Sequence, residues 1–296
     1  SFSTGHREML QAEAEEGDVR DEAHVAAILD ERRIEAVVHF AACALARESM
    51  VDPAKYYNAN LKGQMALLSA CRAAGVDRIV FSSSCSIYGK PRRVPVDETH
   101  PKAPLSPYGR TKLICEWMLR DYAAAYRLRY AALRYFNAAG GDPQGTLGEW
   151  HDPETHLIPI ALEAAASGRT MKVFGVEHDT PDGTCIRDYI HVEDLAQAHL
   201  LAVDHLLNGG ESLELNLGTG AGHSVREVLA AVERAVGKPV PVEEAPADSG
   251  DPPQVFADNR GARDMLGFAC QWTTLDAIVA SAWAFHQRLR KSDFPG

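Results

Sequence analysis

In SPYGRTK, residues 106–112, a tyrosine stands four residues before a lysine, and upstream FSSSCSIYG, residues 81–89, closes an apolar run with serines. On a helix that spacing puts Tyr108 and Lys112 on one face, one turn apart. A free tyrosine ionises near ~10, too high for a base at neutral pH. A nearby ammonium favours the phenolate, and an adjacent cationic nicotinamide ring would lower the value further. Tyr108 could then take a proton from an alcohol while hydride leaves the same carbon, with Ser84 holding the reacting oxygen. Taken alone, the tyrosine and lysine are as compatible with a solvated helix surface. The serine run before them and the alternation of strands and helices around them give the spacing its weight.

That alternation decides where the side chains can meet. AVVHFAA (36–42), RIVFSSS (78–84) and YAALRYFN (130–137) read as buried strands, while residues 52–75 and 106–126 read as helices, each with a proline near its start. Strands separated by helices imply a parallel sheet, whose ligand crevice lies beyond the carboxyl ends of the strands. Phe40, Ser82 to Ser84 and Tyr135 to Asn137 fall at those ends. After Asn137 the texture changes to glycine, proline and acidic residues (138–156), followed by a helix-like LIPIALEAAASG. This marks the entry to a smaller part. Residues 187–207 read as a strand and helix returning to the first sheet, and helices are expected at 224–236 and 274–290. The division is thus 1–137 with about 186–206, and 138–185 with 207–296.

Composition narrows the classes. The 296 residues carry 41 acidic against 30 basic side chains, a formal charge of −11, which argues against a nucleic-acid surface. No run of about 18 apolar residues suggests a membrane span. The six cysteines are scattered, without a C-x-x-C pair, so a reducing cytoplasm is the expected compartment. His151 and His156 resemble a spaced metal pair, but no third ligand is apparent, and the expectation is a loop without metal.

Read in order, EGDVRD (16–21), VVHFAA (37–42), YYNANLKG (56–63), VFSSSCSIYG (80–89), SPYGRTK (106–112), LRYFNAAGGDPQG (133–145), HDPETHLIP (151–159), PDGTCIRDYIHVEDLA (181–196) and NLGTGAGHSVREV (216–228) carry a resemblance. The chain resembles the extended short-chain dehydrogenase/reductase family, in its branch of NAD-dependent epimerases that act on UDP-hexoses. The resemblance implies an α/β fold, a Rossmann-like doubly wound parallel sheet binding NAD, with a smaller C-terminal domain for the nucleotide sugar. It implies Tyr108 as base, Lys112 supporting it on the nicotinamide ribose, and Ser84 orienting the sugar hydroxyl. In such enzymes hydride passes from carbon 4 of the hexose to tightly held NAD, the keto sugar turns, and hydride returns to its other face.

The same likeness puts Asp18 and Val19 at the adenine, Phe40, Ala41 and Ala42 along the dinucleotide, and Asn60, Tyr135 and Phe136 near its nicotinamide half. It puts Asn137, His156 and Leu157 beside the nucleotide sugar, Lys172 and Phe174 around uracil, Arg187 on the diphosphate and Asp251 on a ribose hydroxyl. It also implies a homodimer through two helices of the first domain, with Met65, Leu68 and Leu119 as apolar positions suited to it.

Two departures accompany the likeness. The family's opening strand, glycine-rich phosphate loop and helix do not precede SFSTGHR, and a shortened chain is expected. Ala247 and Asp248 stand where the family has a basic pair. Rival readings are a truncated binding protein, a dehydrogenase releasing NADH, another nucleotide-sugar epimerase, and a 4,6-dehydratase. The last is disfavoured because Ser84-Cys85-Ser86 offers no carboxylate.

Overall fold

Strands rich in apolar residues on both faces need cover on both sides, which helices flanking a parallel sheet supply. The computed structural model describes residues 5–246 and 252–291. Its strands are β1 (Val37–His39), β2 (Arg78–Ser84), β3 (Arg129–Tyr135), β4 (Asn137–Ala139), β5 (Met171–Phe174), β6 (Ile186–Arg187), β7 (Tyr189–His191), β8 (Leu213–Leu217), β9 (His223–Ser224), β10 (Val242–Ala245) and β11 (Gln254–Val255). Its helices are α1 (Glu22–Glu31), α2 (Ala46–Val51), α3 (Pro53–Tyr56), α4 (Lys62–Ala74), α5 (Pro107–Tyr126), α6 (Leu157–Ser167), α7 (Val192–Leu207), α8 (Val225–Val236), α9 (Arg260–Leu266) and α10 (Leu275–Arg290).

The main sheet runs β1-β2-β3-β8, every neighbouring pair parallel. Its two faces feed two cores. On one, Ile79 and Phe81 meet Leu67 and Leu68 of α4 and Leu119 of α5; on the other, Val80 and Leu133 meet Ile190, Leu195 and Ala198. Alternate residues of β2 therefore serve opposite layers, which is why the strand shows no polar alternation. A third core joins α6, α8 and α10 through Leu162, Val228, Val232 and Ile278.

Register places the chemistry. Ser84 lies opposite Tyr135, and Tyr135 opposite Leu217, so the carboxyl ends of three strands finish level. Helix α5 begins where expected because Pro107 occupies its first turn and the Ser106 side chain accepts from Gly109 N at 3.1 Å. Gly109 is needed there: a Cβ would stand 2.7 Å from the Ser86 carbonyl oxygen. That close approach seats the first turn of α5 directly on the turn that follows β2.

The structure differs from the sequence reading in three respects, the first being that the strands at 186–191 pair with β4, β9 and β11 and not with the main sheet, against which α7 packs. Residues 52–75 are helical, but in pieces: α3, a π-helical turn at Tyr57–Leu61, then α4, which ends at Gly75 with φ 73°. The strand Leu213–Leu217, assigned from sequence to the smaller part, is the fourth strand of the main sheet, and α9 packs with it through Ala262. Five residues carry too little pattern to say which sheet they join. Among the described residues, no helix is long and apolar enough to cross a membrane.

Candidate active site

Ser84 closes β2 and its Oγ accepts from Ser86 N at 3.2 Å while meeting Ser86 Oγ at 3.1 Å. In the first turn of α5, the Tyr108 phenol lies near enough to the Ser84 side chain for the serine to favour its ionised form. Its backbone is held from both sides: Tyr108 N donates to the buried Ser49 Oγ at 3.1 Å, and its carbonyl accepts from Thr111 Oγ1 at 2.8 Å. Burial pushes the Tyr108 phenol up to about 12, against which the nearby Ser84 side chain works, with a smaller upward push from Cys85. The phenol is therefore protonated at neutral pH in this state. The Lys112 ammonium stands 5.9 Å from the Tyr108 ring centroid and donates to the Ser82 carbonyl, so its share of the expected lowering does not come through a direct bond to the hydroxyl.

Lys112 is buried, 3% exposed, and burial pulls it down to about 8 despite opposing pulls from Cys115 and Glu116. Its Nζ donates to the Ser82 carbonyl at 2.6 Å and lies 5.0 Å from the Phe81 ring centroid. An ammonium has three donors, and among the described residues one acceptor meets this one. A polyhydroxyl group such as the ribose of a dinucleotide suits the remaining two. This is the observation on which the fit of an NAD molecule rests.

The neighbouring elements present a surface consistent with it. Phe40, Ala41 and Ala42 are exposed just past β1. The buried Asn60 holds the following residue in place: its Oδ1 accepts from Cys43 N at 2.8 Å, and its Nδ2 donates to Cys43 O and to Thr111 Oγ1, both at 3.0 Å. Asn60 thereby ties the end of β1 to the helix that carries Tyr108. At the end of β3, Tyr135 Oη meets His199 Nε2 at 2.8 Å. His199 Nδ1 meets the Leu195 carbonyl at 2.7 Å, which requires the proton on Nδ1 and leaves Nε2 to accept from Tyr135. Phe136 contributes its ring to a core cluster with Ile87, Tyr88 and Leu113. Asp18 is engaged at the surface by Arg20, whose Nε lies at 2.9 Å, and that guanidinium holds the carboxyl down at about 2; Val19 packs against Gly63 of α4.

The residues expected around a nucleotide sugar divide into two groups. Arg187, on β6 between β9 and β11, lies close enough to Cys85 to favour its thiolate, which places its charge beside the turn after Ser84. Asn137 begins β4 opposite Tyr189, its N–H donating to the Asp188 carbonyl at 2.9 Å. Lys172 and Phe174 project from the exposed face of β5 into an open cleft of about 520 Å³, and the Arg47 guanidinium stands 5.4 Å over the Phe174 ring. Ser84, Tyr108 and Lys112 are not among that cleft's lining residues. His156 precedes the first turn of α6 without a side-chain capping bond, Leu157 packs against the third core, and Asp251 lies outside the described residues, as do Ala247 and Asp248.

Sequence reasoning missed Ser49, Thr111 and His199, which have no local signature, and it missed the surroundings of the two loop histidines. Glu149 and Glu154 stand beside His151 and His156, so the expectation that no third metal-type donor is present is corrected. His151 Nδ1 lies 3.3 Å from Glu149 and 3.5 Å from Glu154, and His156 Nδ1 contacts Glu149.

A parallel sheet with a serine, a tyrosine and a lysine gathered at its carboxyl edge defines a nucleotide-dependent oxidoreductase type of centre. The model of the NAD dependent epimerase/dehydratase family matches residues 2–218, and the chain belongs to that family. It is similar to a UDP-glucose 4-epimerase of Rhizobium leguminosarum bv. trifolii, 50% identical over 290 residues that cover 97% of this chain and 88% of that protein. Among solved structures, UDP-glucose 4-epimerase from Brucella ovis in complex with NAD aligns with a TM-score of 0.93 at 50% identity, covering 96% of this chain and 89% of that one. The UDP-glucose 4-epimerase of Stenotrophomonas maltophila, with bound NAD and formylated UDP-arabinopyranose, aligns with a TM-score of 0.90 at 40% identity, covering 93% and 83%.

Proposed function

We propose that this chain is a UDP-glucose 4-epimerase, an isomerase that interconverts UDP-glucose and UDP-galactose through a transient 4-keto sugar. The observation that carries the reading is the gathering of Ser84, Tyr108 and Lys112 at the carboxyl edge of the sheet in a member of this family. NAD, when bound, supplies the acceptor and later the donor of the carbon 4 hydride. Lys112 offers its two spare N–H donors to the cofactor's ribose, and Asn60 and Tyr135 frame the nicotinamide half. Cationic charge brought close to Tyr108 draws its phenol down from the value set by burial, so that it takes the proton of the 4-hydroxyl and gives it back on the opposite face. Ser84 holds the same oxygen by hydrogen bond in both directions.

The same reading places Arg187 on the diphosphate, Asn137, His156 and Leu157 beside the sugar nucleotide, and Lys172 and Phe174 at uracil. It divides the chain into a cofactor part built on the main sheet, including Leu213–Leu217, and a nucleotide-sugar part built on α6, α8 and α10. We extend it to a cytoplasmic homodimer joined through α4 and α5. Met65 and Trp117, 57% and 50% exposed, support that face, whereas Leu68 and Leu119 at 1% and 0% belong to the chain's own core.

A dehydratase is disfavoured by Ser84-Cys85-Ser86, which brings no carboxylate to the turn after β2 for the elimination of water. The test is proton NMR of purified protein with UDP-galactose. UDP-glucose should accumulate to equilibrium, and Tyr108→Phe should slow the conversion by about 10²–10⁴ while nucleotide-sugar binding survives. Unchanged conversion by that variant would remove Tyr108 from the role, and stoichiometric NADH with a keto or acid product would favour a dehydrogenase.

A further inference from the structure

The loop that links β4 to α6 folds four donors onto one point. Glu149, His151, Glu154 and His156 each bring one ligand atom, and these atoms all lie within 4.8 Å of one another. The arrangement has local causes. Glu154 Oε1 accepts from the backbone N–H groups of Thr155 at 2.7 Å and His156 at 2.9 Å, which turns its carboxylate back over the loop. The His151 and His156 rings meet edge to face with centroids 5.4 Å apart. His151 Nδ1 is shielded from solvent and makes no well-directed hydrogen bond, although one oxygen of Glu149 and one of Glu154 lie at 3.3 and 3.5 Å.

Those separations have a chemical meaning. Four N and O donors around Zn²⁺ at about 2.0–2.2 Å stand about 3.4 Å from one another along the edges of a tetrahedron. Two neutral imidazoles and two carboxylates carry a charge of −2, which a divalent cation neutralises. The mixture of imidazole nitrogen and carboxylate oxygen suits Zn²⁺ and its first-row neighbours better than the all-oxygen shells of Ca²⁺ or Mg²⁺.

We propose that Glu149, His151, Glu154 and His156 form a binding site for a divalent transition-metal ion of the zinc type, which ties down the loop at the edge of the cleft lined by Lys172 and Phe174. The site stands apart from Ser84, Tyr108 and Lys112, and its role is structural. Ligation through His156 Nδ1 fixes the imidazole proton on Nε2, which leaves that nitrogen a hydrogen-bond donor; this last consequence rests on the nucleotide-sugar role proposed for His156.

The experiment uses the whole chain, stripped with a chelator and titrated with zinc chloride alone. Bound zinc is counted by elemental analysis after desalting, and Co²⁺ is substituted to read geometry from its visible bands. The expected result is one zinc per chain, tetrahedral Co²⁺ bands without thiolate charge transfer, and binding weakened at least about 10–100-fold in both Glu149→Gln and His151→Gln. Circular dichroism confirms that each variant is folded. Equal zinc in wild type and both variants, or thiolate charge transfer showing that cysteines hold the metal, would overturn the proposal, as would no stoichiometric zinc at all. The four side chains would then be a proton-held cluster of ion pairs. None of these readouts depends on epimerisation.

Discussion

Two buried cations lie under the same sheet and are treated in opposite ways. Arg134 of β3 is fully buried and held by four hydrogen bonds: its Nε and Nη2 reach the two oxygens of Glu116 at 2.8 and 2.7 Å, its Nη1 reaches Tyr88 Oη at 3.0 Å, and Glu214 closes the group. Burial works to lower its affinity for the proton, yet Glu116 and the other partners hold it above the ordinary arginine range. Lys112, one turn from that same Glu116 on α5, has among the described residues a single carbonyl for its three donors and is drawn down to about 8. A paired buried cation is part of the scaffold. One left short of acceptors at the mouth of a crevice is ready for a ligand.

The largest effect that would break this contrast is catalytic. Tyr108→Phe keeps the ring and removes the hydroxyl that Ser84 and the substrate share, so kcat should fall by about 10²–10⁴. Initial rates of UDP-galactose conversion measure it, and a fall in affinity at constant kcat would place Tyr108 in binding instead.

Next comes stability. Arg134→Met leaves the 0% exposed Glu116 without its bidentate partner, so urea unfolding should show a loss of about 3–5 kcal/mol. A loss below about 1 kcal/mol would mean that the network relaxes at little cost.

Lys112→Met should behave oppositely. The unfolded chain keeps the lysine proton up to 10.5, whereas the folded chain sheds it at about 8, so the unfolded state binds more protons between these values. Wild-type stability should therefore gain from Lys112 as pH rises from about 8 to 10.5, a contribution of roughly 3 kcal/mol at full development. Unfolding of wild type and Lys112→Met across that window tests it: the variant should lack this rise and be no less stable at pH 7. Parallel curves would show that Lys112 is solvated or paired after all.

The smallest effect is spectroscopic. With its phenol at about 12, Tyr108 should contribute no tyrosinate absorbance below about pH 10 in cofactor-free protein. The ultraviolet difference between wild type and Tyr108→Phe reads it directly. A tyrosinate near neutrality without cofactor would mean that Lys112 activates Tyr108 unaided.

How much of this was legible in the sequence follows the range of the interactions. The spacing of Tyr108 and Lys112, the proline and serine that start α5, and the apolar run of β2 are local, and the structure brings the segments together as the pattern implies. The hydrogen-bonded chain through His199 was hidden because Tyr135 and His199 sit 64 residues apart. Glu149 and Glu154 were overlooked although they lie beside the histidines, because a loop's spacing does not say which way its side chains fold. Leu68 and Leu119 show the same limit on helices: apolar periodicity marks a buried face, and only packing separates a core from an interface.

The central claim is that Tyr108, Ser84 and Lys112 serve a hydride that leaves carbon 4 and returns to it. UDP-galactose deuterated at carbon 4 tests this most directly. The account predicts UDP-glucose with deuterium retained at carbon 4 and no net NADH. Deuterium lost to solvent or built up in released NADH, or conversion that persists undiminished in Tyr108→Phe, would contradict it.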